Sequence, residues 1–390
     1  MNKNKVRLFL TVFCVLMLLC GCQADEGAEG EQVQIEDPIK YGDIDESEEV
    51  SESQVEEPQI IISYSAVPTT EYEPPAEEVE TVEEEEGDDT VLKTEDGKVI
   101  VDLIIFMGQS NMSGNGGNAS YAPEVPKGHG YEFRAISDPT KLYPISEPFG
   151  VYENNLSGIY DMPGAKRGSL VSAFANEYYE QTHVPIVAVS ASRSGSDTNF
   201  WMSDSVISDF SERQKRAQVW LTCNDYYIRN QYVIWLQGES DALHGHSTDQ
   251  YSTNMDNIIR PLFIGGVEKV FIITPGRTIT KKDYFNDIIK AQLELCKNSG
   301  YYALATTALC GISTQYMVDE WHYNQTVLNY IGKEAAKSAA YYALNKKERC
   351  LYDYKNNEKF IPDGYDYPED IEVEQTDLHE EGLFEVIESH

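Results

Sequence analysis

The stretch Val99-Ile-Val-Asp-Leu-Ile-Ile-Phe-Met107 runs directly into Gly108-Gln109-Ser110-Asn111-Met112-Ser113-Gly114, an apolar β-rich run that stops at a glycine-flanked polar turn. A short apolar run bounded by turn residues reads as a buried strand. Working outward, the same pattern recurs. Pro185 to Ala191 leads into Ser192-Arg193-Ser194-Gly195-Ser196-Asp197, and Gln231 to Leu236 leads into Gln237-Gly238-Glu239-Ser240-Asp241. Val267 to Thr274 and Tyr301 to Thr307 complete the strand candidates. Amphipathic stretches lie between or after them, at Leu170 to Gln181, Glu212 to Tyr227, Gln250 to Phe263, Lys282 to Lys297 and Gln325 to Asn345. Strands alternating with helices of crossover length predict an α/β fold with a parallel sheet covered on both faces. Functional groups then belong at the carboxyl ends of the strands, in the turns just quoted.

Charge marks where this domain stops. Between Gln23 and Lys98 there are 27 acidic residues against Lys40, Lys93 and Lys98, with prolines and an unbroken run from Glu83 to Glu86. Such a segment repels itself and has too little apolar surface to bury, so residues 23–98 are expected to be a disordered acidic stalk. The tail, 351–390, carries 13 acidic residues against Lys355 and Lys359 and is expected to be disordered or loosely docked. The full chain has a formal net charge of −36. Nearly all of it belongs to these flanks, so the domain expected over 99–350 is close to neutral. It lacks the basic footprint that nucleic-acid binding needs, and the acidic flanks repel that partner.

The first 22 residues have a separate meaning. Met-Asn-Lys-Asn-Lys-Val-Arg followed by apolar residues from Leu8 to Leu19 has the form of an export signal, too short to span a bilayer comfortably. Its end, Leu19-Cys20-Gly21-Cys22, resembles a bacterial lipobox. The resemblance implies that Cys22 bears lipid and tethers an exported protein to the outer face of the bacterial cell membrane. Outside the cell the remaining Cys223, Cys296, Cys310 and Cys350 can pair in three ways, of which Cys296 with Cys310 is the expected one. His244 and His246 read as surface residues, and no metal site is expected.

Ser110 stands where a nucleophile can project from a strand end, beside backbone N–H groups able to hold an oxyanion. Gly195 can present an unobstructed N–H, and Gln237 can donate a side-chain amide. Asp319 precedes His322 by three residues, a spacing at which one turn can hold an acid against a base. Arg193 and Trp201, on or after a strand-end loop, are candidates to line a sugar-binding cleft. Glu239 reads as a second candidate carboxylate, or as a buried group that pins the Ser110 loop.

In that order, Gly108-Gln109-Ser110-Asn111-Met112, Gly195, Gln237-Gly238-Glu239-Ser240-Asp241 and Asp319-x-x-His322 resemble the sialate O-acetylesterase-like domain, carbohydrate esterase family six, a branch of the SGNH (GDSL-like) hydrolases. The resemblance covers Val99 to about Asn345. It implies a three-layer α/β/α, flavodoxin-like fold and a serine acetylesterase without a cofactor. It also implies Ser110 as nucleophile and His322 as base, with Asp319, or alternatively Glu239, as the third member. The oxyanion hole it implies is formed by Ser110, Gly195 and Gln237. The chain departs from the family at Ser192 to Ser196, where paired glycines are more usual. The implied substrate is an acetylated carbohydrate such as xylan or O-acetylated sialic acid. The alternative is a non-catalytic carbohydrate-binding surface lipoprotein on the same fold.

Overall fold

The structure, a computed structural model, describes residues 92–364 and 376–380. In chain order the elements are β1 (Val99–Gly108), α1 (Ser110–Ser113), β2 (Gly130–Phe133), β3 (Leu142–Pro144), α2 (Val171–Thr182), β4 (Ile186–Ser192), α3 (Thr198–Trp201), α4 (Asp204–Cys223) and β5 (Tyr226–Leu236). They continue with α5 (Glu239–Leu243), α6 (Thr248–Ile264), β6 (Lys269–Ile273), α7 (Asn286–Asn298), β7 (Tyr302–Thr306), α8 (Gln325–Asn345), β8 (Leu351–Asp353) and β9 (Glu358–Phe360).

Seven strands form one sheet in the order β3-β2-β4-β1-β5-β6-β7, parallel except for the antiparallel edge strand β3. Alternation along β1 sorts its side chains between two cores. Leu103, Ile105 and Met107 pack with residues of α4, α6 and α7, while Ile104 and Phe106 pack with residues of α2 and α8. The architecture is therefore a three-layer α/β/α sandwich, as the alternation of strands and helices implies. After β1 the chain builds β2 and β4 on one side, then crosses to β5 on the other. That reversal makes the carboxyl end of β1 the topological switch point, where open α/β sheets gather their functional groups.

Where the structure departs from the sequence reading, polar residues are the reason. β5 begins at Tyr226, not Gln231, because Asp102 inside β1 collects donors from Arg229 Nη2 (2.5 Å), Asn230 Nδ2 (2.9 Å) and Tyr178 Oη (2.7 Å). A buried carboxylate so supplied makes a strand of residues that do not look apolar. α4 starts at Asp204, behind Ser203, and gives up Tyr226 and Tyr227 to the sheet. The edge pair β2 and β3 carries too short an alternation to stand out in the sequence.

The acidic flanks are partly folded. Ile100 N–H donates to Leu92 O (2.9 Å), so residues 92–98 turn back against β1. At the other end Leu351 and Phe360, both buried, pair in the β8–β9 hairpin, and residues 376–380 lie against 311–313. The folded unit thus extends beyond Cys350, because these apolar side chains are spaced among the charges that dominate the composition. The expected Cys296–Cys310 bond is absent: both are buried free thiols. Cys296 lies in α7, near the amino end of β7, and Cys310 beyond its carboxyl end. Five residues of strand separate them by roughly 17 Å, too far for a disulfide. The signal segment, Cys22 and residues 23–91 of the stalk lie outside the described residues.

Candidate active site

The turn after β1 is built by its polar residues. Gln109 is buried and its Oε1 accepts from Gly238 N (3.3 Å) and Ser240 N (3.2 Å), which staples this turn to the one after β5. Ser110 opens α1 and is 6% exposed. Asn111 Nδ2 donates to Glu239 Oε1 (2.8 Å) and to Trp321 O (3.1 Å), and Asn111 Oδ1 accepts from Tyr323 N (3.3 Å). The residue after Ser110 therefore draws in the loop that carries His322 across more than 200 positions of sequence. A Cβ added at Gly116 would lie 2.3 Å from Tyr323 O and 2.9 Å from His322 Cβ, so only glycine lets the two loops meet this closely.

His322 Nδ1 lies 2.8 Å from Asp319 Oδ2, while Trp321 N and His322 N both donate to Asp319 Oδ1 at 2.9 Å. Burial works against the charged form of Asp319, but the hydrogen bonds from His322 and Trp321 outweigh it and hold the carboxyl below its usual range. Asp319 therefore remains an anion, able to fix the imidazole's orientation. Glu239 is in a different position. Burial raises its pKa, the Asn111 hydrogen bond, a backbone N–H and the nearby His322 offset this only in part, and its Oε2 has no hydrogen-bond partner. Asp319, not Glu239, bonds to the imidazole; Glu239 supports the loop through the Asn111 side chain.

Around β4 the backbone is held by buried charge. Arg213 is fully buried and donates to Ser190 O, Glu153 O and Asp209, tying β4 to the loop over residues 153–159. Two residues further along, Asp161 accepts from Ser194 N (3.3 Å) and Ser194 Oγ (3.1 Å). Ser194 Oγ is also 2.9 Å from Asn115 Oδ1, so the Asn115 amide is fixed beside the Ser110 turn. Gly195 follows at φ +65°, exposed and with open space where a side chain would stand. Lys166, buried with Nζ 2.6 Å from Ser192 Oγ, braces the end of β4, and burial pushes its pKa down to about 8.

Together these turns enclose an open pocket of about 240 Å³ lined by Gln109, Ser110, Asn111, Asn115, Ser194, Gly195, Glu239, Ser240, Leu243, Trp321 and His322. A larger groove of about 1000 Å³ runs between α6 and α7 at the opposite end of the sheet, but no histidine lines it. The smaller pocket joins a serine hydroxyl, a carboxylate-bonded imidazole and hydrogen-bond donors. That set can take a proton from the serine and hold negative charge that develops on a bound carbonyl oxygen.

Four sequence expectations need correcting. Gln237 does not reach the pocket: its fully buried Nε2 donates to Ser196 O (3.0 Å) and to Asp241, and its Oε1 accepts from Tyr251 Oη (3.2 Å). Its amide is consumed in joining the β4 and β5 turns. Trp201 is also fully buried, with Nε1 donating to Ser196 Oγ (3.0 Å) and its ring edge-on to Trp235, so it offers no face to a sugar. His246 is not a surface residue; it is buried, with Nδ1 2.6 Å from Asp241 Oδ1 and Nε2 3.1 Å from Asn199 Nδ2. Arg193 lies over the Phe200 ring, 4.3 Å from its centroid, outside the pocket lining. The residue that reading the sequence missed is Asn115. Its signal was its place in the glycine-rich turn of Ser110, five residues on.

Comparison with known proteins agrees with the motifs. A family model described as carbohydrate esterase, sialic acid-specific acetylesterase matches residues 100–341. No curated protein matches the chain. Among solved structures the chain is similar to a protein from Arabidopsis thaliana at 21% identity and a TM-score of 0.47, covering 62% of this chain and 98% of that one. It is also similar to a carbohydrate acetylesterase from Xanthomonas citri at 14% identity and a TM-score of 0.39, covering 63% and 57%. An acetylxylan esterase from Geobacillus stearothermophilus shares 11% identity at a TM-score of 0.34, covering 61% and 94%.

Proposed function

The chain belongs to the sialic acid-specific acetylesterase family of carbohydrate esterases, and from that membership we propose that it is a serine acetylesterase releasing acetate from an O-acetylated carbohydrate. The observation that carries the reading is the meeting of Ser110 and an Asp319-bonded His322 in one pocket. In the proposed reaction His322 Nε2 takes the Ser110 proton while Oγ attacks the acetyl carbonyl. The N–H groups of Ser110 and Gly195 and the Nδ2 of Asn115 hold the tetrahedral oxyanion. His322 returns the proton to the departing sugar oxygen, and water then releases acetate by the same steps. The pocket, at about 240 Å³, is below the usual range for larger ligands and fits a short acyl group. We further propose export and tethering through a lipid on Cys22, with the acidic stalk as spacer.

The test is acetate release by the full chain from acetylated xylan, O-acetylated sialic acid and a small aryl acetate. Release from a glycan ranks the natural ester; a folded protein that releases none from any of the three overturns the reading in favour of carbohydrate binding without catalysis.

Two variants examine the less obvious groups. Asn115→Ala is expected to lower kcat by roughly 10²- to 10³-fold, as loss of one oxyanion donor does, with KM little changed. A wild-type kcat in that variant would remove Asn115 from the site. Glu239→Gln is expected to cost less than about tenfold, against roughly 10⁴-fold for Asp319→Asn, because only Asp319 bonds to the imidazole. The pH dependence of stability provides a second reading of Glu239. Its folded pKa is raised, so its contribution is complete below the unfolded value and is lost as pH rises through the folded one. Relative to wild type, Glu239→Gln should therefore gain in urea resistance between acid and neutral pH, and a constant difference would contradict the assignment.

A further inference from the structure

Part of the acidic tail is built into the loop that carries the base. The outer part of the loop over residues 317–322 has little burial of its own: Val318 is 54% exposed and the side chain of Asp319 51%, against 19% for His322. A segment with so few buried contacts opens easily unless something outside it holds it. Besides the Asn111 bonds to Trp321 and Tyr323, two clamps are present. On one side, Ile279 N donates to Glu320 O (3.3 Å), Thr280 Oγ1 to Glu320 Oε1 (2.5 Å), and Arg277 N to Tyr323 Oη (3.1 Å). On the other side, Tyr316, just before the loop, donates through its hydroxyl to Asp377 O (2.9 Å), and Ser313 N donates to Leu378 O (2.8 Å).

Glu380 connects the two clamps. Its backbone N–H donates to Gly311 O (3.1 Å), while its Oε1 is 2.6 Å from Arg277 Nη1, with Arg277 only 12% exposed. His379 fastens the segment, stacking flat on Tyr354 with ring centroids 4.6 Å apart and pairing with Ile312. The tail thus reaches both the entry of the catalytic loop and, through Arg277 and Tyr323, the residue next to His322.

We propose that residues 376–380 brace the catalytic-base loop, with Glu380 a positioning residue acting on His322 through Arg277 and Tyr323. The inference rests on the esterase reading for its kinetic consequence, but its structural consequence is independent of that reading. The test uses Glu380→Arg, Arg277→Glu and the double exchange in the full chain. Each single variant should lower kcat for an aryl acetate by roughly tenfold or more per site titrated with a serine-directed phosphonate, with KM within about twofold, because displacement of a reacting group costs kcat. Backbone amides of residues 316–324 should exchange hydrogen faster, and the double exchange should restore both properties. Unchanged exchange, or an unchanged kcat per titrated site, overturns the brace. If wild type cleaves no ester, the esterase reading fails and hydrogen exchange alone decides the brace: faster exchange in the singles with recovery in the double supports it.

Discussion

Ser110→Ala is expected to lower kcat/KM for an aryl acetate by about 10⁵- to 10⁶-fold while leaving the fold unchanged. The serine is 6% exposed at the first position of α1. The turn is held by its neighbours: Gln109 bonds to the β5 turn and Asn111 to Glu239 and the His322 loop. Removing Oγ therefore leaves those bonds in place, and the stability cost should stay within about 1 kcal/mol. What disappears is the atom proposed to form the acyl enzyme. The activity that remains over the uncatalysed reaction would come from binding and the oxyanion donors, on the order of 10³- to 10⁴-fold. Kinetics, denaturant unfolding and phosphonate labelling check this together. A correctly folded variant that keeps more than about one-hundredth of the wild-type rate removes Ser110 as nucleophile.

How much of this site was legible depended on whether a residue's role lay in its own turn. The parallel sheet, the switch point after Met107 and the Asp319-His322 pairing are local matters: a strand run ending in a polar turn, or two residues three apart on one loop. Gln237 and Trp201 could not be read that way. Both follow strand ends and both carry useful groups, yet Ser196 from the β4 turn, Tyr251 from α6 and Asp241 four residues further on claim the Gln237 amide, and Trp235 covers Trp201. A side chain's capacity to donate says nothing about whether the fold has already claimed the donor. Asn115 shows the reverse case, since its orientation depends on Ser194, 79 residues away. Where the tail docks is not legible from its composition, because net charge averages over Leu351, Phe360 and His379, whose burial decides where those pieces sit.

His322→Ala should fall to the same floor as Ser110→Ala, and the double variant should be no slower than either. In the proposed mechanism nucleophile and base act as one unit, so removing either removes the whole route and the losses do not add. The loop should survive the substitution. Asp319 Oδ1 still receives the N–H groups of residues 321 and 322, and its side chain is half exposed, so the carboxylate left without the ring is solvated. The two variants then differ in one respect: added imidazole can enter the vacated space beside Ser110 and take its proton, restoring part of the rate in His322→Ala and none in Ser110→Ala. The rival for the proton is Glu239, which lines the same pocket with an unpartnered Oε2 and a pKa that burial has raised. Were it the base, His322→Ala would retain more than about one-hundredth of the rate and Glu239→Gln would not. The 2.8 Å contact to Asp319 favours the imidazole, because it fixes one ring nitrogen and frees the other for the serine.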